Sequence, residues 1–458
     1  MRQRIVLSIM IFLAIILSNI LLFLLKGLVE IEAQLRYYKD DGTITYSGIC
    51  EPEGRFELFY ELFSPTSIYG KLSYWLPTLA YFCGFIISAI PSGIIADKFG
   101  GKYVLMTAVS FAALFLLVTP LAISMLGYLS LFLLSFLTGV STGIAIPASY
   151  TLLAHWSPLK ERSLLCGLAL GAYIAVMIFG YYINIQTNHL NHLYGIIFYC
   201  IGILAILWVF SFYFLCSNDP YSHRSIRQKE KEYLLNELKT TKYRRKLIIP
   251  WIAIFKNRET QGYITALFLY AWSIGIIIYG LLQLDKLKES VDRSTEHDFI
   301  IALWCFWLIS IITCLIIDLG LFKIFKSINN IRSYSIYIAN SLAALFLIGA
   351  SKFNRNTKVS TLLCYGSLGI SYINLILTPL DVTQNFTGTF SSITYSFGQF
   401  AILFTITTSN AFDDGFPEDN WNLIFWSASI SLLISAFIYG LLVYNERQIW
   451  DPIVEENQ

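Results

Sequence analysis

The chain has 458 residues, of which 56% are hydrophobic and only 14% are Asp, Glu, Lys or Arg, with a mean hydropathy of +0.61. So apolar a chain excludes a soluble multidomain protein and makes lipid its solvent. A formal net charge of +2 is too small to hold nucleic acid, and where the charges sit matters more than their sum.

Apolar runs of about 20 residues, the length a bilayer core requires, fall near 5–28, 73–95, 103–125, 128–152, 164–186, 194–216, 262–284, 299–320, 333–351, 359–380, 388–411 and 421–444. These are twelve predicted spans. The first follows Arg2 and Arg4 as a signal peptide would, but its apolar stretch is too long and lacks a small-residue cleavage site. It is read as a retained span. Between spans 6 and 7, residues 217–261 carry eleven Lys and Arg against five acidic residues, which marks a cytoplasmic loop. The segment 32–72, on the opposite face, has four basic and seven acidic residues, and the loop at 412–420 carries Asp413, Asp414, Glu418 and Asp419 with no base. Both termini are then expected in the cytoplasm, in a plasma membrane or an endolysosomal or vesicular membrane. The short loop with Lys352, Arg355 and Lys358 runs against this count.

The basic loop divides the chain into an amino-terminal six-helix bundle (1–216), a cytoplasmic linker (217–261) and a carboxy-terminal six-helix bundle with its tail (262–458). Six spans on each side is the layout of a transporter built from repeats around a central cavity. Within the linker, 225–240 has Leu at helical spacing among charges and predicts an amphipathic surface helix. Its Glu230, Leu234 and Leu235 also spell an acidic-dileucine sorting signal, although helix packing explains the same leucines.

At the turn between spans 2 and 3 the chain reads GIIADKFGGK, Gly93 to Lys102. The second half carries a worn copy, Cys314 to Asp318, at the equivalent helix pair, with Lys323 and Lys326 beyond it. Further stretches are IPSGIIADKFGGKYVL (90–105), PASYTLLAHWSPLKERS (147–163), IPWIAIFKNRETQGYI (249–264), NWNLIFWSASI (420–430) and NERQIWDP (445–452). On these residues the chain resembles the major facilitator superfamily, and within it the anion:cation symporter branch that includes sialin, the vesicular glutamate transporters and the type I sodium–phosphate cotransporters. The resemblance implies an all-α membrane protein of twelve transmembrane helices in two six-helix bundles. It also implies a secondary transporter for a small organic solute, an organic anion in this branch, with a coupling ion as a further partner.

Gly93, Asp97, Lys98, Gly100, Lys102, Glu161, Arg162 and Asp318 are the gating residues the resemblance implies. Asp97, at the cytoplasmic end of span 2, is expected to face the positive start of span 11 near Thr387 and Gly388. Relatives of the branch hold anions with membrane arginines, a glutamate and in some a histidine; the matching positions here are Leu22, Ser135, Thr142, Tyr270 and Thr78, all uncharged. Buried charges normally mark an ion path, so their loss weakens proton coupling. Candidate solute-binding residues are therefore Lys26, which also reads as a snorkelling interfacial lysine, and the hydroxyl and aromatic residues Tyr81, Thr142, Tyr270 and Trp272. A facilitator for a neutral solute and a non-transporting receptor or scaffold are the alternatives.

No catalytic constellation is present. The five His (155, 189, 192, 223, 297) make no metal spacing, seven of the eight Cys lie in or beside apolar runs with only Cys50 in a long polar loop, and there is no phosphate-binding loop. Neither an enzyme nor a cofactor or metal is expected. The sequon Asn385-Phe386-Thr387 falls on the cytoplasmic side and is expected to stay unmodified.

Overall fold

The structure is a computed structural model and describes residues 2–37, 68–126, 128–187, 194–223, 226–238, 248–287, 294–321, 328–352, 357–413 and 421–451. Cys50 and most of the acidic segment around it, residues 414–420, His189, His192, Lys323, Lys326 and Arg355 lie outside them.

The described residues are almost wholly helical and contain no strand. In chain order the helices are α1 (Gln3–Tyr37), α2 (Ile68–Phe99), α3 (Gly101–Leu126), α4 (Tyr128–Trp156), α5 (Arg162–Leu170), α6 (Ala172–Thr187), α7 (Tyr194–Leu215), α8 (Gln228–Leu238), α9 (Trp251–Lys256), α10 (Arg258–Leu287), α11 (Ser294–Ile316), α12 (Ile328–Lys352), α13 (Thr357–Val382), α14 (Thr387–Asp413) and α15 (Trp421–Leu442). Helices α5 and α6 together make the fifth predicted span. They are interrupted only at Gly171, whose backbone stays helical at φ −63° and ψ −11°.

Among the described residues, eleven stretches are long and apolar enough to cross a membrane. The twelfth is α14, whose 27 residues reach about 40 Å at 1.5 Å per residue. Its first half, TGTFSSITYS, is rich in hydroxyls, which lower its hydropathy without preventing it from spanning. Those hydroxyls are satisfied within the protein, most of them by backbone carbonyls three or four residues earlier. Thr387 donates to Thr383 O at 2.7 Å, Thr394 to Phe390 O at 3.1 Å, Ser396 to Ser392 O at 2.7 Å and Thr405 to Ala401 O at 3.0 Å. In hydrocarbon a polar group must find such a partner within the protein. The chain is an all-α membrane protein of twelve spanning helices.

In the first half α4 is central, packing on α1, α2 and α3, while α7 packs on α3. The second half pairs α10 with α14 and α15, α12 with α13 and α15, and α11 with α13. Two seams join the halves. Along one, α14 crosses α2 and α4; along the other, α11 lies beside α5 and α6. The outer faces are apolar as lipid requires: Leu204, Leu207, Phe210 and Phe214 of α7 all point away from the protein core.

Helix α8 lies against the start of α1. The Glu230 carboxylate accepts hydrogen bonds from the backbone amides of Gln3 (3.2 Å) and Arg4 (3.4 Å), satisfying two of the donors that a helix start leaves unpaired. Leu234 and Leu238 are buried beneath it, and the Arg4 guanidinium sits over the Tyr233 ring at 4.9 Å. At the same end, Asp451 accepts from Gln384 N (2.8 Å) and Asn385 Nδ2 (2.7 Å), and Gln448 N donates to Val382 O. The start of the chain, α8 and the residues after α15 therefore share one face of the bundle.

Candidate functional site

That shared face is also where charge crosses between the halves. Asp97, in the last turn of α2, accepts hydrogen bonds from Gly388 N (2.9 Å), Thr389 N (2.6 Å), Thr389 Oγ1 (2.7 Å) and Thr151 Oγ1 (3.0 Å). Three of these come from the first turn of α14, so a carboxylate of one half caps a helix of the other. Gly93 makes the approach possible. A methyl group built on it would lie 2.6 Å from Gly388 O and 2.6 Å from Ser392 Oγ. The following turn needs Gly100, whose φ of +95° lies in the left-handed region that disfavours a side chain.

Asp318, in the π-helical turn Ile317–Leu321 that ends α11, repeats the device in the opposite sense. Its Oδ2 accepts from Leu164 N at 2.8 Å, in the first turn of α5. Each half thus caps a helix start of the other. Between the two caps lies a buried charge cluster. Asp381 at the end of α13 receives Arg162 Nη1 at 3.1 Å on one oxygen and Arg332 Nε at 3.0 Å on the other, with all three side chains at most 9% exposed. Arg162 also donates to Leu380 O at 2.9 Å, and Arg332 to Asn374 Oδ1 at 3.2 Å. Arg162 belongs to the first half, Arg332 and Asp381 to the second.

Around this cluster, Glu161 receives Arg4 Nη2 at 2.9 Å and Lys160 pairs with Glu237 of α8 at 2.7 Å. Lys102 donates to Tyr213 O at 2.7 Å, while Lys98 stays at the surface with its ammonium over the Phe99 ring at 5.4 Å. The eight sequence-derived gating residues thus converge on one end of the molecule. Arg332 and Asp381 belong to the same network, and sequence reasoning missed them because each sits at the margin of a span.

Behind this closed end, between the halves, is a cavity of about 150 Å³. Its walls come from α6, α10, α11, α13 and α14 and are aliphatic and aromatic, with Tyr173, Tyr270, Tyr365, Tyr372, Tyr395 and Gln399 as the polar members. Among the described residues, no Asp, Glu, Lys, Arg or His lines it. The Tyr270 hydroxyl donates to Leu368 O at 2.7 Å, and Tyr395 shares a 2.9 Å bond with Tyr150.

Of the five sequence-derived solute residues, Tyr270 alone reaches this wall. Tyr81 and Thr142 lie behind it, both bonded to Asn19 Oδ1, at 2.8 and 3.1 Å. The Trp272 ring packs on Phe404 at 5.2 Å, and Lys26 Nζ lies over the Phe23 ring at 5.9 Å, neither at the cavity. Asn19 and Gln399 were legible as strongly polar residues inside apolar runs, a signal the search for charges passed over. Tyr365 carried no such signal among 29 tyrosines.

An apolar cavity between two halves that are joined at one end by charged contacts is an arrangement that can hold a solute. Comparison with known proteins agrees. Residues 7–406 match the model of the Major Facilitator Superfamily. Sialin of Homo sapiens is 28% identical over 391 residues, covering 81% of this chain and 75% of sialin. A putative inorganic phosphate cotransporter of Drosophila ananassae is 26% identical over 402 residues, covering 83% of this chain and 80% of its own length. The sodium-dependent phosphate transport protein 1 of Mus musculus is 21% identical over 385 residues, covering 81% and 80%. Among solved structures, the proton:xylose symporter XylE bound to 6-bromo-6-deoxy-D-glucose superposes with a TM-score of 0.67 over 97% of both chains at 14% identity, a likeness of fold.

Proposed function

Because the chain belongs to the major facilitator superfamily, we propose that it is a secondary transporter that moves a small organic solute across a membrane by alternating access, and not an enzyme. The observation that carries this reading is the pair of reciprocal caps, Asp97 on the first turn of α14 and Asp318 on the first turn of α5. Such contacts exist only while one end of the two halves is closed, and a rocking motion breaks them together. The cavity behind them is then reached from the other face.

Organic anions are the first class of cargo to test, since the family resemblance implies them and two of the matched relatives are named for phosphate. We take the two bundles as 1–216 and 262–458, with 217–261 as the linker. The eleven basic residues of that linker support a cytoplasmic location for the closed end. Both chain ends then face the cytoplasm, because the start of α1 and the residues after α15 lie on the same face as α8.

Purified protein reconstituted in liposomes, given imposed voltage, sodium or pH gradients and a panel of anionic and neutral solutes, tests the proposal. Saturable uptake of at least one solute is expected. Absence of flux for every class would leave a receptor or scaffold instead.

A further inference from the structure

Two buried polar atoms at the cavity have no hydrogen-bond partner among the described residues: Gln399 Oε1 and the Tyr365 hydroxyl. Both residues line the cavity, and they are 4% and 2% exposed. A buried polar atom left unpaired in a native protein requires an explanation.

The direction of the hydrogen bonds around Gln399 fixes which atom it offers. Asn19 Nδ2 donates to Ile15 O at 2.9 Å, so Asn19 Oδ1 is an acceptor, and the Tyr81 hydroxyl donates to it at 2.8 Å. Having given its only proton to Asn19, Tyr81 accepts from Tyr173 across their 3.2 Å contact. Tyr173 in turn uses its proton on Tyr81 and accepts from Gln399 Nε2 at 3.2 Å. The chain runs from α1 through α2 and α6 to α14, and it leaves the carbonyl oxygen of Gln399 facing no donor. A carboxylate or phosphate oxygen placed there meets a lone pair with no proton between them. A hydroxyl or N–H meets an unmet acceptor.

The space beside it suits a ring. A volume of about 150 Å³ equals that of an apolar protein cavity that takes up benzene, and the surrounding walls are Ile174, Leu267, Ile277, Phe306 and Leu368 with tyrosine rings between. We propose that this cavity recognises the uncharged, hydrogen-bond-donating end of a cargo with a ring-sized apolar body, the donor meeting Gln399 Oε1 and the body packing among the tyrosines. Any anionic group of the cargo stays outside the cavity. This rests on the transport reading and narrows its cargo.

Binding to the purified full-length protein, measured by equilibrium dialysis, tests it with four probes: benzyl alcohol, benzoate, 4-(hydroxymethyl)benzoate and inorganic phosphate. The two hydroxyl-bearing rings are expected to bind about ten- to a hundredfold more tightly than benzoate, the discrimination typical of a buried acceptor met or left unmet, with no measurable phosphate binding. Gln399→Leu abolishes that preference. Tyr365→Phe deletes a hydroxyl that bonds to no described residue, so its melting temperature stays at the native value while the alcohols bind several-fold more weakly. Benzoate binding as tightly as benzyl alcohol, or neither alcohol binding, overturns the inference. The liposome assay reads the parent proposal separately: flux with a preference for benzoate keeps transport and discards this cavity assignment, whereas alcohol binding without flux does the reverse.

Discussion

The closed end and the cavity behind it are built from opposite materials. At the closed end, Arg162 and Asp381 join the halves through a buried ion pair with Arg332 buried beside it, and the half-buried carboxylates of Asp97 and Asp318 reach across to facing helix starts. Among the described residues the cavity is lined by no ion, only by tyrosines, a phenylalanine, a methionine, aliphatic side chains and one glutamine. Taking charges out of water costs several kcal/mol each and stabilises a fold poorly, but it makes the geometry all-or-none, because a partner removed is a charge abandoned. That behaviour suits a seal that must be either shut or open. Cargo must enter and leave, and a cavity of hydroxyls and rings holds it without a strong ionic contact to break. The difference teaches that this molecule uses charge to control its shape and neutral polarity to select its solute.

The largest break in that contrast is expected from Asp381→Ala. It leaves two guanidiniums buried without a counter-charge, and thermal unfolding of the purified protein should show a loss of about 3–5 kcal/mol, whereas a loss under about 1 kcal/mol would mean that water reaches the cluster. Next comes Gly93→Ala, whose methyl meets Gly388 O and Ser392 Oγ at 2.6 Å. Overpacking of this kind costs about 1–3 kcal/mol, and it acts against the closed form alone, so reagent access to a cysteine introduced at the seal rises while solute affinity holds.

Asp97→Asn keeps the shape and removes the charge. Losing about 0.3–2 kcal/mol of helix-terminus interaction lowers the ratio of closed to open molecules by roughly 2- to 30-fold; initial-rate uptake slows and equilibrium solute binding is unchanged. Loss of binding instead would move Asp97 from the seal to the site. The smallest effect sharpens the other side of the comparison: with no titratable carboxylate, amine or imidazole in the cavity lining, a pH gradient imposed at fixed voltage leaves uptake in liposomes unaltered. Proton-driven accumulation would erase the division between charged seal and neutral site.

Most of the architecture was legible because hydrocarbon imposes one rule, long apolar runs, on every span. The rule is weakest at α14, where buried hydroxyls bonded to nearby backbone carbonyls read as polar although they present no polarity to lipid. The start of the seal was equally legible, since Gly93 to Lys102 is a contiguous string. Its completion was not. Arg162 was a candidate, but its partner Asp381 lies 219 residues away and, like Arg332, resembles an ordinary interfacial charge until the halves are brought together. The cavity was least legible of all. Tyr81 and Thr142 have the right chemistry on facing helices, yet both are engaged with Asn19 one layer behind the wall, and a difference of one layer has no expression in residue spacing.

Asn19 does more than fill that layer. Its amide is oriented by a single backbone carbonyl, Ile15 O, and the orientation passes through two tyrosines before it decides which atom Gln399 turns outward. Replacing Asn19 with a residue that donates where it now accepts would reverse every proton in the row and present the cavity with a donor. Preference could then pass from alcohols to anions through a change at a position no cargo touches. The diversification of solutes among carriers of one fold need not leave its mark on the walls of the binding site.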